Sequence, residues 1–143
     1  MRVASFALAL AAVTALAGCG GDKSTGPGAI AGNYRMRSVN GETLPVVLEE
    51  FGSYRAELTA ASLTLDDDGR FTESSTVRET DGGQTVTTIG SCPGSYTRGG
   101  STITFEEDAS SDENCGFSYT ATWTNGNTLT VDFGPGSEAV YRK

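Results

Sequence analysis

The side chains that could do chemistry in this chain are carboxylates and thiols, because the sequence contains no histidine. Without an imidazole base, the arrangements in which histidine activates a serine or cysteine nucleophile are excluded. Paired carboxylates can hydrolyse glycosides, but most of the acidic residues fall in segments with turn signals, where solvated charge is the ordinary explanation. The sequence therefore predicts a non-enzymatic protein without a cofactor or a metal site.

The first of the three cysteines, Cys19, directly follows a segment with the layout of an export signal. The segment has a positive start at residues 1–2, an apolar run over 3–15 and a cleavage site at 16–18. The apolar run is shorter than the roughly 20 residues that a membrane-spanning helix needs. The sequence Leu-Ala-Gly-Cys resembles the bacterial lipobox, whose cysteine is alkylated by diacylglycerol and becomes the N-terminus after cleavage. The alternatives are an ordinary secretory signal beside a coincidental cysteine, or a buried core cysteine.

The lipobox reading divides the chain into three parts. Residues 1–18 are a lipoprotein signal peptide, 19–31 are the lipidated cysteine and a flexible linker, and 32–143 are the folded domain. Acyl chains on Cys19, at about 0.8 kcal/mol per buried CH₂ group, would hold the domain at a membrane. Gly20 stands where Asp is associated with retention at the inner membrane. We therefore expect a cell-envelope protein, at the outer membrane if the cell has one.

The remaining two cysteines, Cys92 and Cys115, form an even pair in a chain predicted to be exported, which favours a disulfide. Two isolated thiols without a histidine do not complete a zinc site. The predicted strands that follow the two cysteines run in the same direction, with one strand between them. Because second-neighbour strands lie about 10 Å apart, we expect the bond to staple the loop 107–114 across the end of the sheet. A bond between strand interiors would exceed the reach of a disulfide.

The chain is acidic, with 18 Asp and Glu against 10 Lys and Arg and a net charge of −8. Binding to nucleic acid depends on clustered cations that contact phosphates, and the sequence shows no basic cluster. The balance predicts no nucleic-acid partner and a weak preference for cationic partners.

From Gly32 onward, short runs rich in Thr, Val, Tyr and Phe alternate with Gly, Asn and Asp turn signals. About eight or nine strands without a long helix predict an all-β fold, either an antiparallel up-and-down barrel or a sandwich. Residues 45–53 fit a short helix or a lid-like loop. The apolar parity shifts near Ala60-Ala61, which predicts a bulge, and one strand ends as the chain enters Cys92-Pro93. Residues 66–69 (Asp-Asp-Asp-Gly) predict a hairpin turn, with a calcium site as the weaker alternative.

Several short motifs, in order, are similar to the small bacterial lipocalin-like lipoprotein domains. They are Gly32-Asn33-Tyr34, residues 38–45 (Ser-Val-Asn-Gly-Glu-Thr-Leu-Pro), Leu63-Thr64-Leu65, Asp68-Gly69-Arg70-Phe71, Gly94-Ser95-Tyr96-Thr97 and Val140-Tyr141-Arg142-Lys143. The resemblance spans most of residues 32–143 and implies a barrel of about eight strands with a possible interior cavity. Lipocalins proper open with Gly-x-Trp, and Tyr34 stands at the position of that Trp.

The candidate ligand-contacting residues are those expected to face the barrel interior. Phe117, Tyr119 and Trp123 alternate along one strand and either fill the core or line a pocket together with Tyr34 and Met36. Glu73 shares its parity with Phe71, so that its carboxylate is expected to point inward, where it needs a partner or water. The predicted ligand set is Tyr34, Met36, Glu73, Tyr119 and Trp123.

The function expected from these features is a membrane-tethered barrel that binds a small hydrophobic or amphipathic ligand. The alternative is an envelope protein that contacts a cationic protein partner through its acidic loops, as the lipoprotein inhibitors of lysozyme do; residues 106–113 are the best candidate for that contact. A hollow interior of several hundred Å³ with an open mouth would favour the first, and a filled interior with a charged rim would favour the second.

Overall fold

The computed structural model describes residues 29–109 and 115–143. The described residues form ten strands, and no helix among them is long and apolar enough to cross a membrane. The strands are β1 (Gly32–Val39), β2 (Glu42–Thr43), β3 (Val46–Phe51), β4 (Tyr54–Leu65), β5 (Arg70–Asp81), β6 (Gln84–Gly99), β7 (Thr102–Glu107), β8 (Ser118–Thr124), β9 (Thr128–Gly134) and β10 (Ser137–Arg142).

Eight of these strands close into an antiparallel up-and-down barrel. The order around the barrel is β1-β10-β9-β8-β7-β6-β5-β4, and β1 pairs with β4 to complete the ring. The closing ladder is short, running from the pair Gly32–Leu65 to the pair Arg35–Ser62. Closure satisfies the backbone groups that an open sheet would leave unpaired at its edges. The predicted all-β barrel is confirmed, and β2 and β3 lie outside the ring as additional strands.

One end of the barrel, where the turn 66–69 lies, is filled by side chains. Alternate residues of each strand point inward, and the largest of them at this end are fully or almost fully buried. Phe71 packs edge-on against Phe105, with ring centroids 4.9 Å apart. The hydroxyl of Tyr34 donates a 2.8 Å hydrogen bond to the carbonyl of Ile30. Ile30 is itself fully buried, so the last residues of the predicted linker pack against the barrel. We call this the closed end.

The strands β4, β5 and β6 are longer than the others, with 12, 12 and 16 residues. Their neighbours stop early: β1 pairs with β4 only as far as Ser62, and β7 ends at Glu107, opposite Gly94. The far halves of β4, β5 and β6 therefore extend beyond the ring as a sheet at the open end of the barrel, opposite the closed end.

The expectation of a helix or lid-like loop over residues 45–53 is wrong, because Val46–Phe51 is a strand. It pairs with the half of β4 that β1 leaves free, from Val46–Leu58 to Phe51–Tyr54. The unpaired edge of β4 would offer a row of backbone donors and acceptors. Residues 46–51, which begin with two valines, pair with that edge and satisfy these groups.

Two further details bear on the strands that build the site. The register of β4 against β5 shifts between Leu58 and Ala60, which confirms a bulge close to the predicted position. The predicted strand end at Cys92-Pro93 is wrong, because β6 continues through both residues. Proline is tolerated there because its backbone faces the side on which β7 has already ended, and its carbonyl accepts a 2.9 Å hydrogen bond from the Asp108 amide.

Candidate ligand-binding site

A cavity of about 620 Å³ opens at the end of the barrel opposite the closed end. The projecting half of the β5–β6 hairpin forms one wall, and residues of β7, β8 and β9 form the other. Its lining residues are Glu73, Ser75, Val77, Glu79, Thr88, Ile89, Gly90, Ser91, Cys92, Glu107, Phe117, Tyr119 and Phe133.

The β5 wall follows directly from strand alternation. Glu73, Ser75, Val77 and Glu79 are every second residue of β5, so they face the same side. This is the side that Phe71 shares at the filled end of the barrel. The sequence changes along the strand from an aromatic residue to polar and small residues, and the filled core gives way to the cavity at Glu73.

Glu73 is the polar centre of the cavity. Its Oε2 accepts a 2.7 Å hydrogen bond from the Tyr119 hydroxyl, and its Oε1 accepts a 3.2 Å hydrogen bond from the Tyr141 hydroxyl. The three residues lie on β5, β8 and β10, so the cluster joins strands that are not neighbours in the sheet. This confirms that the Glu73 side chain points inward and has partners there.

Burial raises the pKa of the Glu73 carboxyl above its ordinary value of 4.5, the Tyr119 hydrogen bond opposes the rise, and the charge of nearby Glu107 adds to it. Burial, followed by the charge of Glu73, raises the pKa of both Tyr119 and Tyr141 far above the ordinary tyrosine range. The two phenols therefore stay protonated and act as hydrogen-bond donors to the carboxylate.

Glu107 is the second carboxylate of the cavity, and it fixes the chain that enters β8. Its Oε2 accepts hydrogen bonds from the amides of Gly116, at 2.9 Å, and Phe117, at 3.1 Å. A Glu107 oxygen also lies within 4.8 Å of the sulfurs of Cys92 and Cys115. Those sulfurs are bonded to each other, so they are not thiolates that a metal ion could use.

The predicted disulfide between Cys92 and Cys115 is confirmed, with Cα atoms 5.5 Å apart. Cys115 lies in the loop before β8, as expected, but Cys92 lies within β6, paired with Glu73. The expectation that neither cysteine would lie in a strand interior is therefore wrong for Cys92. The bond can form because β7 ends opposite Gly94, so no strand separates Cys92 from the start of β8.

The mouth of the cavity carries exposed apolar side chains. Ile89, Phe117 and Phe133 are 74%, 61% and 43% exposed, and all three line the cavity. The other large apolar side chains that are exposed among residues 29–109 and 115–143 lie on the projecting sheet, and they are Val47, Leu48, Phe51 and Val86. Exposed apolar groups are thus concentrated at the open end of the barrel, which is typical of a binding site.

The structure brings together Glu73 and Tyr119 from the predicted ligand set but not the other three residues. Tyr34 is buried at the closed end. Trp123 lies towards the same end, with the Arg98 guanidinium 4.4 Å from its ring centre. Met36 lines a separate cleft of about 430 Å³, which opens where β1 and β4 diverge.

Tyr141, Glu107 and Phe133 belong to the site but are not among the predicted residues. Each shares its strand parity with a buried neighbour: Tyr141 with Ala139, Glu107 with Phe105, and Phe133 with Val131. That parity was the available signal. Glu107 is the first residue of the predicted loop 107–114, whereas the structure extends β7 through it.

Comparisons of the chain with protein-family models, with curated proteins and with solved structures found no match. The predicted signal peptide, Cys19 and residues 20–28 of the linker lie outside the described residues, as do residues 110–114 of the acidic loop. The features of the open cavity are therefore the basis on which a function can be argued.

Proposed function

We propose that this protein is a non-enzymatic lipoprotein of the cell envelope that binds a small hydrophobic or amphipathic ligand at the open end of a lipocalin-like barrel. The observation that carries the proposal is the cavity of about 620 Å³, which has apolar and aromatic walls and a polar cluster centred on Glu73. Pockets for small ligands typically measure roughly 300–1,000 Å³ and combine an apolar lining with a few placed polar groups.

Binding is favoured over catalysis because the carboxylates of the site are held by structural donors. Glu73 accepts from two phenols, and Glu107 accepts from two backbone amides. Both arrangements use the carboxylate as an acceptor from donors of the protein itself, which supports a binding role over a role as a base that activates water or a nucleophile.

The anchor is compatible with a free mouth. The described chain enters the barrel through Ile30, at the closed end, and the cavity opens at the opposite end. A lipid on Cys19, followed by the Gly-rich residues 20–29, would tether the closed end and leave the mouth accessible.

The alternative of a protein contact through the acidic loop has less support. Asp108, one of the acidic residues in that region, pairs with Arg70 at 2.5 Å, so its charge is already partly compensated. A filled interior would favour a protein contact, but the barrel interior at the open end is not filled.

The ligand is tested by recovering the full chain from its own membranes and analysing a solvent extract of it by mass spectrometry. Thr88→Trp would fill the cavity, whereas Thr87→Trp changes the neighbouring residue, which is exposed and does not line the cavity. We expect an apolar compound near one equivalent in the wild type and in Thr87→Trp, and its loss in Thr88→Trp. The same extract from all three chains would contradict the proposal.

The anchor is tested separately with Cys19→Ser. We expect the wild type to carry a diacylglycerol-modified N-terminal cysteine in the membrane fraction, and the variant to lack that modification. An unmodified Cys19 in the wild type would exclude the lipoprotein assignment without affecting the ligand site.

A further inference from the structure

The ionisable side chains that line the open cavity are all acidic or phenolic. Glu73, Glu79 and Glu107 are its carboxylates, and no Lys or Arg is among its lining residues. The four ion pairs found within the described residues all use carboxylates elsewhere. The cavity therefore holds three carboxylates without a positively charged partner from the described part of the chain.

The donors that these carboxylates have are neutral, and Glu73 also contacts the acidic side chain of Glu107, which raises the pKa of Glu73. Glu73 accepts from two phenols, Glu107 from two amides, and Glu79 from the Tyr54 hydroxyl at 2.8 Å. Neutral donors satisfy hydrogen bonds but leave the negative charge uncompensated, which is unfavourable where water is partly excluded. A cation in the cavity would relieve this cost.

The remainder of the lining suits an apolar body. Val77, Phe117 and Phe133 line the cavity, and Phe117 and Phe133 are also exposed at its mouth. Burial of an alkyl chain against them is favourable by about 0.8 kcal/mol per CH₂ group. Aromatic faces also attract cations, so Phe117 and Phe133 can contact either part of such a ligand.

We propose, on the basis of the ligand-binding function above, that the occupant of the open cavity is a cationic amphiphile, with an ammonium group at the carboxylates and an apolar chain along the aromatic mouth. Charge complementarity selects this ligand over an anionic amphiphile such as a fatty-acid carboxylate. An anion in the cavity would add negative charge beside Glu73 and Glu107, and no Lys or Arg of residues 29–109 and 115–143 lines the cavity to receive it.

The test compares three ligands with the same alkyl chain: decyltrimethylammonium, 1-decanol and decanoate. The full chain is held in phosphatidylcholine nanodiscs, and bound ligand is measured by equilibrium dialysis near pH 7, with empty nanodiscs subtracted. We expect the ammonium ligand to bind at least roughly tenfold more tightly than decanoate, with decanol in between. Equal affinities, or a preference for decanoate, would overturn the cationic ligand and leave ligand binding intact. Binding of none of the three ligands would overturn both proposals.

Substitutions of the carboxylates test which residues produce the preference for the ammonium ligand. Glu73→Gln combined with Glu107→Gln keeps the size of both side chains and one acceptor oxygen in each but removes their charge, and we expect the preference for ammonium to shrink severalfold. Glu106→Gln is the matched control, because Glu106 precedes Glu107 on β7 but is exposed and does not line the cavity. A preference that persists in the double variant, or that is lost in Glu106→Gln, would contradict the proposed role of these carboxylates.

Discussion

The hydroxyl of Tyr119 on β8 donates a 2.7 Å hydrogen bond to Glu73 on β5, across the interior of the barrel. Strands β6 and β7 lie between β5 and β8 in the sheet, so the bond spans the barrel instead of running along its wall. It marks the level at which the filled core ends and the open cavity begins. The protonation of Glu73 therefore depends on contacts that form only when the barrel is folded.

The first prediction concerns the pH dependence of stability. Burial raises the pKa of Glu73, so the folded state holds this proton more tightly than the unfolded state does. The resulting stability is present below the ordinary pKa of 4.5 and is lost as pH rises through the raised pKa. We expect Glu73→Gln to resemble the wild type near pH 4 and to gain stability relative to it towards pH 7, measured by urea unfolding.

Glu57 provides the control of opposite sign. The hydrogen bond from Arg78, followed by that from Arg55, lowers the pKa of Glu57. Its contribution to stability is therefore present above pH 4.5 and is lost as pH falls through the lowered pKa. Glu57→Gln should be less stable than the wild type near pH 7 and approach it in acid. The same pH trend in both variants would contradict the assignment of Glu73.

The second prediction concerns the tyrosine donors to Glu73. Tyr119→Phe removes one of its two phenol hydrogen bonds, and hydrogen bonds to charged groups contribute about 1.5–3 kcal/mol. We expect a loss of about 1–2 kcal/mol in the free energy of unfolding near pH 7. In the background of Glu73→Gln the loss should be smaller, because the acceptor then carries no charge.

Tyr54→Phe is the matched control for that cycle. Its hydroxyl donates a 2.8 Å hydrogen bond to Glu79, so the variant removes the same kind of bond on the projecting sheet. Tyr54 is only partly buried whereas Tyr119 is buried, so solvent screens the Tyr54 bond more and a smaller loss is expected there. Equal losses in the free energy of unfolding for Tyr119→Phe and Tyr54→Phe would contradict a larger contribution from the buried Glu73 cluster.

The third prediction concerns the disulfide. The bond joins residues 23 apart in the chain, and closing a loop of that size in the unfolded state contributes about 3 kcal/mol in the chain-entropy model. Replacing both Cys92 and Cys115 by Ser should reduce the free energy of unfolding by roughly this amount. Because the bond also fixes the chain that carries Phe117, we expect ligand retention to fall as well. Unchanged stability after replacement or reduction would show that Glu107 alone holds this segment.

Alternation of residue types predicted most of the strands and the inward orientation of Glu73, and the even number of cysteines left after Cys19 predicted the pairing of Cys92 with Cys115. Alternation could not predict the position of each inward residue along the barrel axis. Tyr34 and Tyr119 both face inward, yet one lies at the closed end and the other at the cavity. Parity determines the face of a strand, whereas height depends on the register of every ladder between the two strands.

The position of the open cavity could not be predicted from the sequence for a related reason. The cavity exists because β5 and β6 run past the ends of β1 and β7. The position at which β1 ends depends on its pairing with β4, which is distant in sequence. The same is true of β3, whose residues are mostly exposed and whose strand conformation depends on the free edge of β4. Local propensity does not contain this information.

The fourth prediction tests the packing at the boundary between the filled core and the cavity. Gly94 on β6 leaves no room for a side chain, because a Cβ there would lie 2.4 Å from the Glu106 carbonyl oxygen and 2.4 Å from the Phe71 ring. The backbone oxygen belongs to the ladder between β6 and β7 and cannot move aside easily. Gly94→Ala should therefore cost about 1–3 kcal/mol in the free energy of unfolding, as overpacking typically does.

Gly99→Ala is the matched control, since Gly99 ends the same strand and a Cβ there would meet nothing within 4 Å. We expect its free energy of unfolding to stay within about 0.5 kcal/mol of the wild type. Because Phe71 packs edge-on against Tyr119, with ring centroids 6.4 Å apart, displacing the Phe71 ring should also disturb the Tyr119–Glu73 bond. Gly94→Ala should then reduce ligand retention beyond what its lost stability explains, whereas a stable Gly94→Ala with unchanged retention would show that the core yields without moving Tyr119.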